Sequence, residues 1–121
     1  MELGPNQTLW LQALRSGLYA QGKHHLNNPD GFCCLGVACE IFKDTLDLVV
    51  QILPTQTFYQ GSSGTAPVRV INHLGLYSDV GGADPATGGH DLAHLNDDGV
   101  SFHEIAARIA ANPSMYFRSP K

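Results

Sequence analysis

Charge is scarce in this 121-residue chain: Asp, Glu, Lys and Arg together make up 15% of it, and the formal net charge is -4. Its seven Lys and Arg residues are spread thinly, with no basic cluster to neutralise a long phosphate backbone, so duplex DNA or RNA is excluded as the expected partner. Long apolar runs are missing too. None approaches the roughly 18 residues that a membrane span needs, and the opening "MELGPNQTLW" has neither a basic region nor an apolar one behind it. No membrane contact is expected, and a cytoplasmic location is. Cysteine is rare and odd in number: Cys33, Cys34 and Cys39 fall within seven positions, which does not fit a disulfide-stapled secreted domain.

Against these absences, 43% of the residues are hydrophobic, enough for one modest core, and the length argues for a single domain over 1–121. The stretch "NQTLWLQALRSG" predicts a helix, with Leu9, Ala13 and Ser16 along one face and Trp10 and Leu14 beside it; Asn6 or Thr8 can cap its start and Gly17 closes it. From Leu18 to Lys23 the alternation predicts a short strand, reversed by "NNPDG". Cys33 to Phe42 is apolar nearly all round and predicts a central helix. Val49, Val50 and Ile52 favour a strand, and "TFYQGSSGTAP" a second strand running into a Gly-Ser loop. Pro67 opens a short helix that Gly75 ends, and "YSDVGGADPATGGHD" reads as an exposed loop. The last helix follows a capping box of Ser101 and Glu104, buries Phe102, Ile105, Ala106 and Ile109, and stops at Pro113. The sum is a small α+β domain with three or four helices and a small sheet.

Three constellations could carry chemistry. A thiol at a helix start, Cys33 or Cys34, could act as a nucleophile with one of six histidines, and "NHLGLYSD" could supply the imidazole; the helical reading of His73 works against that. His24, His25, Cys33, Cys34 and Cys39 are zinc-ligand types, but no paired knuckle spacing is present, so no metal and no cofactor is expected and the cysteines read as small core residues. The third set is polar. Arg15, Tyr19, Gln21 and Lys23 gather around the end of the first helix; the "GSSGT" loop, with Ser62 and Ser63, could aim backbone N–H groups at phosphate; Tyr59, with Tyr19 or Phe58 as alternatives, could stack on a nucleobase; and Asn96 and Asp97 could bond a base edge or a ribose. A cationic, aromatic and Gly-rich set without an organised acid–base pair favours binding over turnover.

The blocks "WLQALRSGLYAQG", "FCCLGVACEI" and "LNDDGVSFHEIA" resemble a family of small proteins encoded by bacteriophages and prophages, from Trp10 to Ala110. The departures are the His-rich "GKHHL" and "GGHDLAHL". The resemblance implies a counter-defence role, as a homo-oligomer that sequesters a small cyclic nucleotide signal of host immunity without cleaving it. Two other functions stay open: a hydrolase using Cys33 or Cys34, and an adaptor gripping a host protein through the loop from Val80 to Asp91, where Asp79, Asp84 and Asp91 favour a basic partner surface.

Overall fold

The computed structural model describes residues 2–84 and 89–118. Among the described residues, six helices and two small antiparallel two-stranded sheets make an α+β domain. Part of the exposed loop expected after Tyr77, residues 85–88, and the ends of the 1–121 span lie outside the described residues.

Helix α1 (Pro5–Arg15) starts at least two residues earlier than its expected caps suggest. Neither Asn6 nor Thr8 caps it: Pro5 opens it, and Gln7 Oε1 accepts the Gly4 N–H at 2.9 Å. Its buried face is Trp10, Leu11 and Leu14, while Leu9 stays 52% exposed, because the Trp10 indole must reach inward to donate to the Cys34 carbonyl at 3.0 Å. Gly17 follows the helix in the left-handed region, at φ 74°.

No strand forms from Leu18 to Lys23. Leu18 is 82% exposed, so the alternation meets no core, and only a bridge between Gln21 and Phe32 remains, closed by Gly22 N–H to Phe32 O at 2.7 Å and Phe32 N–H to Ala20 O at 2.8 Å. The turn at Pro29 and Asp30 joins β1 (Asn27–Asn28) to β2 (Gly31–Phe32).

Helix α2 (Cys34–Phe42) is the centre, with Cys34, Leu35, Gly36, Val37, Ala38, Cys39 and Phe42 all buried. Gly36 lets it press on the preceding loop: a Cβ there would overlap the Leu26 carbonyl. Strand β3 (Val50–Ile52) pairs with β4 (Thr57–Tyr59) in an outlying hairpin, and α3 (Val68–Leu74) ends at Gly75, at φ 78°.

Two helices were not legible as helices. α4 (Leu92–Asp97) is capped by Asp91 and buries Leu92, Leu95 and Asn96, and α6 (Pro113–Tyr116) begins on the proline that stops its neighbour. Between them, α5 (Phe102–Ala111) buries Phe102, Ile105, Ala106 and Ile109 as its period requires. Only half of its capping box forms. Ser101 Oγ accepts the Glu104 N–H at 3.2 Å, but the Glu104 carboxylate turns to Arg108 at 3.6 Å.

Candidate functional site: a polar loop mounted on α4

The loop from Gln21 to Asn28 is held from beneath by two side-chain amides. Asn96 is fully buried; its Oδ1 accepts from Gln21 Nε2 at 2.9 Å and from the Cys34 N–H at 3.2 Å, while its Nδ2 donates to the Gly22 carbonyl at 2.9 Å. Gln21 completes the mount by donating to Val100 O at 2.7 Å and accepting the Phe102 N–H at 3.1 Å. Gln21 and Asn96, expected to face a ligand, therefore spend their polar atoms on the scaffold. An amide whose N–H donors are both spent internally has none left to give a guest.

Asp97 sits beside this mount. Its Oδ1 accepts the His24 N–H at 2.9 Å and its Oδ2 lies 3.3 Å from His24 Nδ1. His24 holds a left-handed backbone, φ 69°, unusual for a side chain of its size, and its ring is 72% exposed. Asp97 is thus a loop anchor with 31% of its side chain exposed.

Above the mount lies an open depression of about 520 Å³ lined by Gln21, Gly22, Lys23, His24, His25, Asn28 and Asp30. Lys23 brings an ammonium and Asp30 an opposing carboxylate, the two imidazoles add ring nitrogens, and Asn28 Nδ2, 3.1 Å from His25 Nδ1, fixes the second ring. A second depression, of the same volume, is lined by Gln60, Ser62, Thr65, Ala66, Pro67, Val68 and Arg69. The two loops adjoin, since the Leu26 N–H donates to Ser63 O at 2.6 Å. The second hollow is the poorer anion site: Ser62 Oγ is bonded to Thr65 O at 2.6 Å, and Arg69 donates to the carbonyls of Leu46 and Asp47 at 3.1 and 3.0 Å.

The remaining expected residues scatter. Tyr59 is fully buried, with its hydroxyl donating to Glu40 Oε1 at 2.9 Å and accepting from Asn27 Nδ2 at 3.3 Å, so it offers no ring for stacking. Burial pushes its phenol above the ordinary range. Tyr19 packs edge-on against Phe32, centroids 5.5 Å apart, and Arg15 is exposed at the end of α1. Neither lines the two depressions just described. Of the expected set, Lys23 and Gln21 share the first hollow, Ser62 lines the second, Ser63 lies at their junction, and Asn96 and Asp97 stand behind. His24 and His25 were weighed only as zinc-ligand types, and Asn28 only as part of a turn.

The thiols are in the core. Cys33 is the cap of α2, with its Sγ accepting the Gly36 N–H at 3.3 Å, and burial pushes its thiol up to about 11. Burial, reinforced by the neighbouring Cys33, also raises Cys34 and Cys39. A thiolate nucleophile is therefore strongly disfavoured at all three. Among the described residues, no three or more His, Cys, Asp or Glu side chains are grouped to hold a metal ion, and no helix is long and apolar enough to cross a membrane.

Residues 6–113 match the model of a domain of unknown function, DUF8296. The chain belongs to that family. The comparisons with curated proteins and with solved structures returned no match. The matched span runs from the second residue of α1 through α5 and so contains both the amide mount and the loop it carries.

Proposed function

We propose that this domain binds a small phosphate-bearing ligand, of the cyclic-nucleotide class, in the Lys23–His24–His25 hollow and retains it without cleaving it. The observation that carries the reading is one open depression of about 520 Å³ on a hydrogen-bonded loop, lined by Lys23 and two imidazoles beside Asp30, with a volume inside the range of small-ligand sites. Lys23 supplies a point charge for phosphate; the exposed His24 ring supplies a donor and a flat face for a base, the place first assigned to the tyrosines. The buried thiols support retention over turnover, since their neutral forms are favoured. The phage counter-defence role, in the cytoplasm of an infected cell, belongs to the same proposal and rests on the block resemblance alone.

The test is calorimetry against a panel of cyclic di- and trinucleotides and linear nucleotides, followed by heat release and chromatography of the ligand. The expected result is saturable binding, weakened at least tenfold by Lys23→Glu, with the nucleotide recovered intact. Absence of binding across the panel overturns the proposal. A second reading has its own observation: the His24 imidazole oriented by Asp97 is the arrangement of a general base. Recovery of a cleaved product, lost in His24→Ala, would install that reading in place of the first.

A further inference from the structure

We infer that the outer edge of β3 is a self-recognition surface on which two copies of this chain pair antiparallel about a two-fold axis centred on Gln51. The backbone hydrogen bonds of the hairpin decide which groups point out. Tyr59 spends its N–H and carbonyl on Ser62, at 2.8 and 3.0 Å, so the Val50–Tyr59 pair exchanges none. Gln60 N–H donates to Val49 O at 2.8 Å and Leu53 N–H to Gln56 O at 3.1 Å, so the odd-numbered residues face β4. By alternation, the N–H and C=O groups of Val50 and Ile52 face away from it, and β3 has no second strand beside it among the described residues. A row of unpaired strand groups is a template for another strand.

The side chains and charges fit a second copy of the same strand. With Gln51 on the axis, Val50 faces the other copy's Ile52 and Val49 faces its Leu53, so "VVQIL" reads aliphatic against aliphatic in both directions. Val49 is 71% exposed, Ile52 79% and Leu53 41%, apolar surface that the pairing would cover. From Leu48 to Val68 there is no charged residue, so a chain of net charge -4 meets itself here without opposing like charges. Asp47, the nearest charge, falls opposite Thr55 in that register.

The geometry also limits the pairing. Val50 and Ile52 each exchange two N–H···O bonds with the opposite copy, about four in all. Beyond them the Leu48 N–H is already given to Lys43 O at 2.8 Å, and Pro54 has no N–H to give. On the far side of β4, Tyr59 is bridged to Ser62 and Thr57 is buried, so the contact is isologous and ends at a dimer.

The full chain is measured by sedimentation velocity at micromolar concentration, where a species of twice the 13.0 kDa chain mass is expected. Gln51→Lys and Gln51→Glu each place like charges on the axis and convert it to monomer; an equal mixture of the two restores the dimer. Gln51→Cys cross-links to its own copy under mild oxidation, because directly opposed non-bonded pairs approach to about 4.5 Å. Val49→Cys does not, its counterpart being displaced by four residues, about 13 Å. Cys33, Cys34 and Cys39 are buried and do not compete. A monomeric wild type, a dimer indifferent to both charge variants, or equal cross-linking at 49 and 51 overturns the inference.

Discussion

Replacing Asn96 by Ala removes the amide that ties the ligand loop to α4 and α2. Three groups lose a partner: the Cys34 N–H, the Gly22 carbonyl and one of the two bonds of Gln21 Nε2. Cys34 and Gly22 are buried, so at about 1–3 kcal/mol for each orphaned buried group the loss is about 3–5 kcal/mol. For a domain of this size that corresponds to a fall in Tm of about 12–20 °C. Thermal melts by circular dichroism and urea titration both report it, and the two should agree if unfolding is two-state. Asn96→Asp sharpens the test. It keeps an acceptor at Oδ1 but replaces the donor facing the Gly22 carbonyl with an oxygen, so its protonated form can still donate and its ionised form repels both that carbonyl and Asp97. Its deficit should therefore grow as pH rises through the carboxylate range. A loss below about 1 kcal/mol for the Ala variant, or a pH-independent Asp variant, would refute the mount.

Three further outcomes are expected. Gly36→Ala forces a Cβ into the Leu26 backbone, which is itself pinned by Ser63 and Cys33, so a loss of about 3 kcal/mol or more, or insoluble expression, is expected by melt and yield; a neutral variant would contradict the close approach. The folded Cys33 thiol keeps its proton to about 11 whereas an unfolded one titrates near 9.0, so stability is fully present below about pH 9 and is lost as pH rises toward 11. The slope is about 1.4 kcal/mol per pH unit for each thiol so raised, read by urea titration, and native protein should react slowly with a disulfide reagent until denatured. At His24, φ 69° penalises any Cβ, so His24→Gly should be more stable than His24→Ala by about 1 kcal/mol while both weaken ligand binding, measured by melts and calorimetry side by side.

What the sequence disclosed follows the range of the forces involved. α5 was legible because a helix with one dominant apolar period buries that period wherever it packs, and α2 because a helix apolar nearly all round has to lie in the core. α1 was legible as a helix but not in its facing, because the Trp10 indole bonds to a carbonyl 24 residues away and turns the stripe. Leu18 to Lys23 alternates like a strand, yet strand formation needs a neighbour along its length, and only Phe32 offers one. α4 was hidden among Gly, Asp and His because its stability comes from burying Leu92, Leu95 and Asn96 under other elements. At the site, Gln21 and Asn96 were read as ligand-facing, and the structure gives their polar atoms to the scaffold. Their roles were inverted, since nothing local tells a buried amide bonded to distant backbone from one that faces a cleft.

That inversion has a mechanical consequence. Gln21 and Asn96 lie in the blocks that mark the resemblance, and they grip the loop through backbone: the Gly22 carbonyl, the Val100 carbonyl, the Phe102 N–H. Even Asp97 takes the His24 N–H as well as its ring. A mount that holds main chain leaves the side chains at 23 and 25 free to differ without loosening it. The cost of ordering the loop is met by the amides beneath, so a ligand meets a preformed surface and loses little affinity to loop ordering. Specificity and stability are then separable: substitutions on the mount should move Tm first, and substitutions at Lys23 or His25 should move affinity with Tm nearly unchanged.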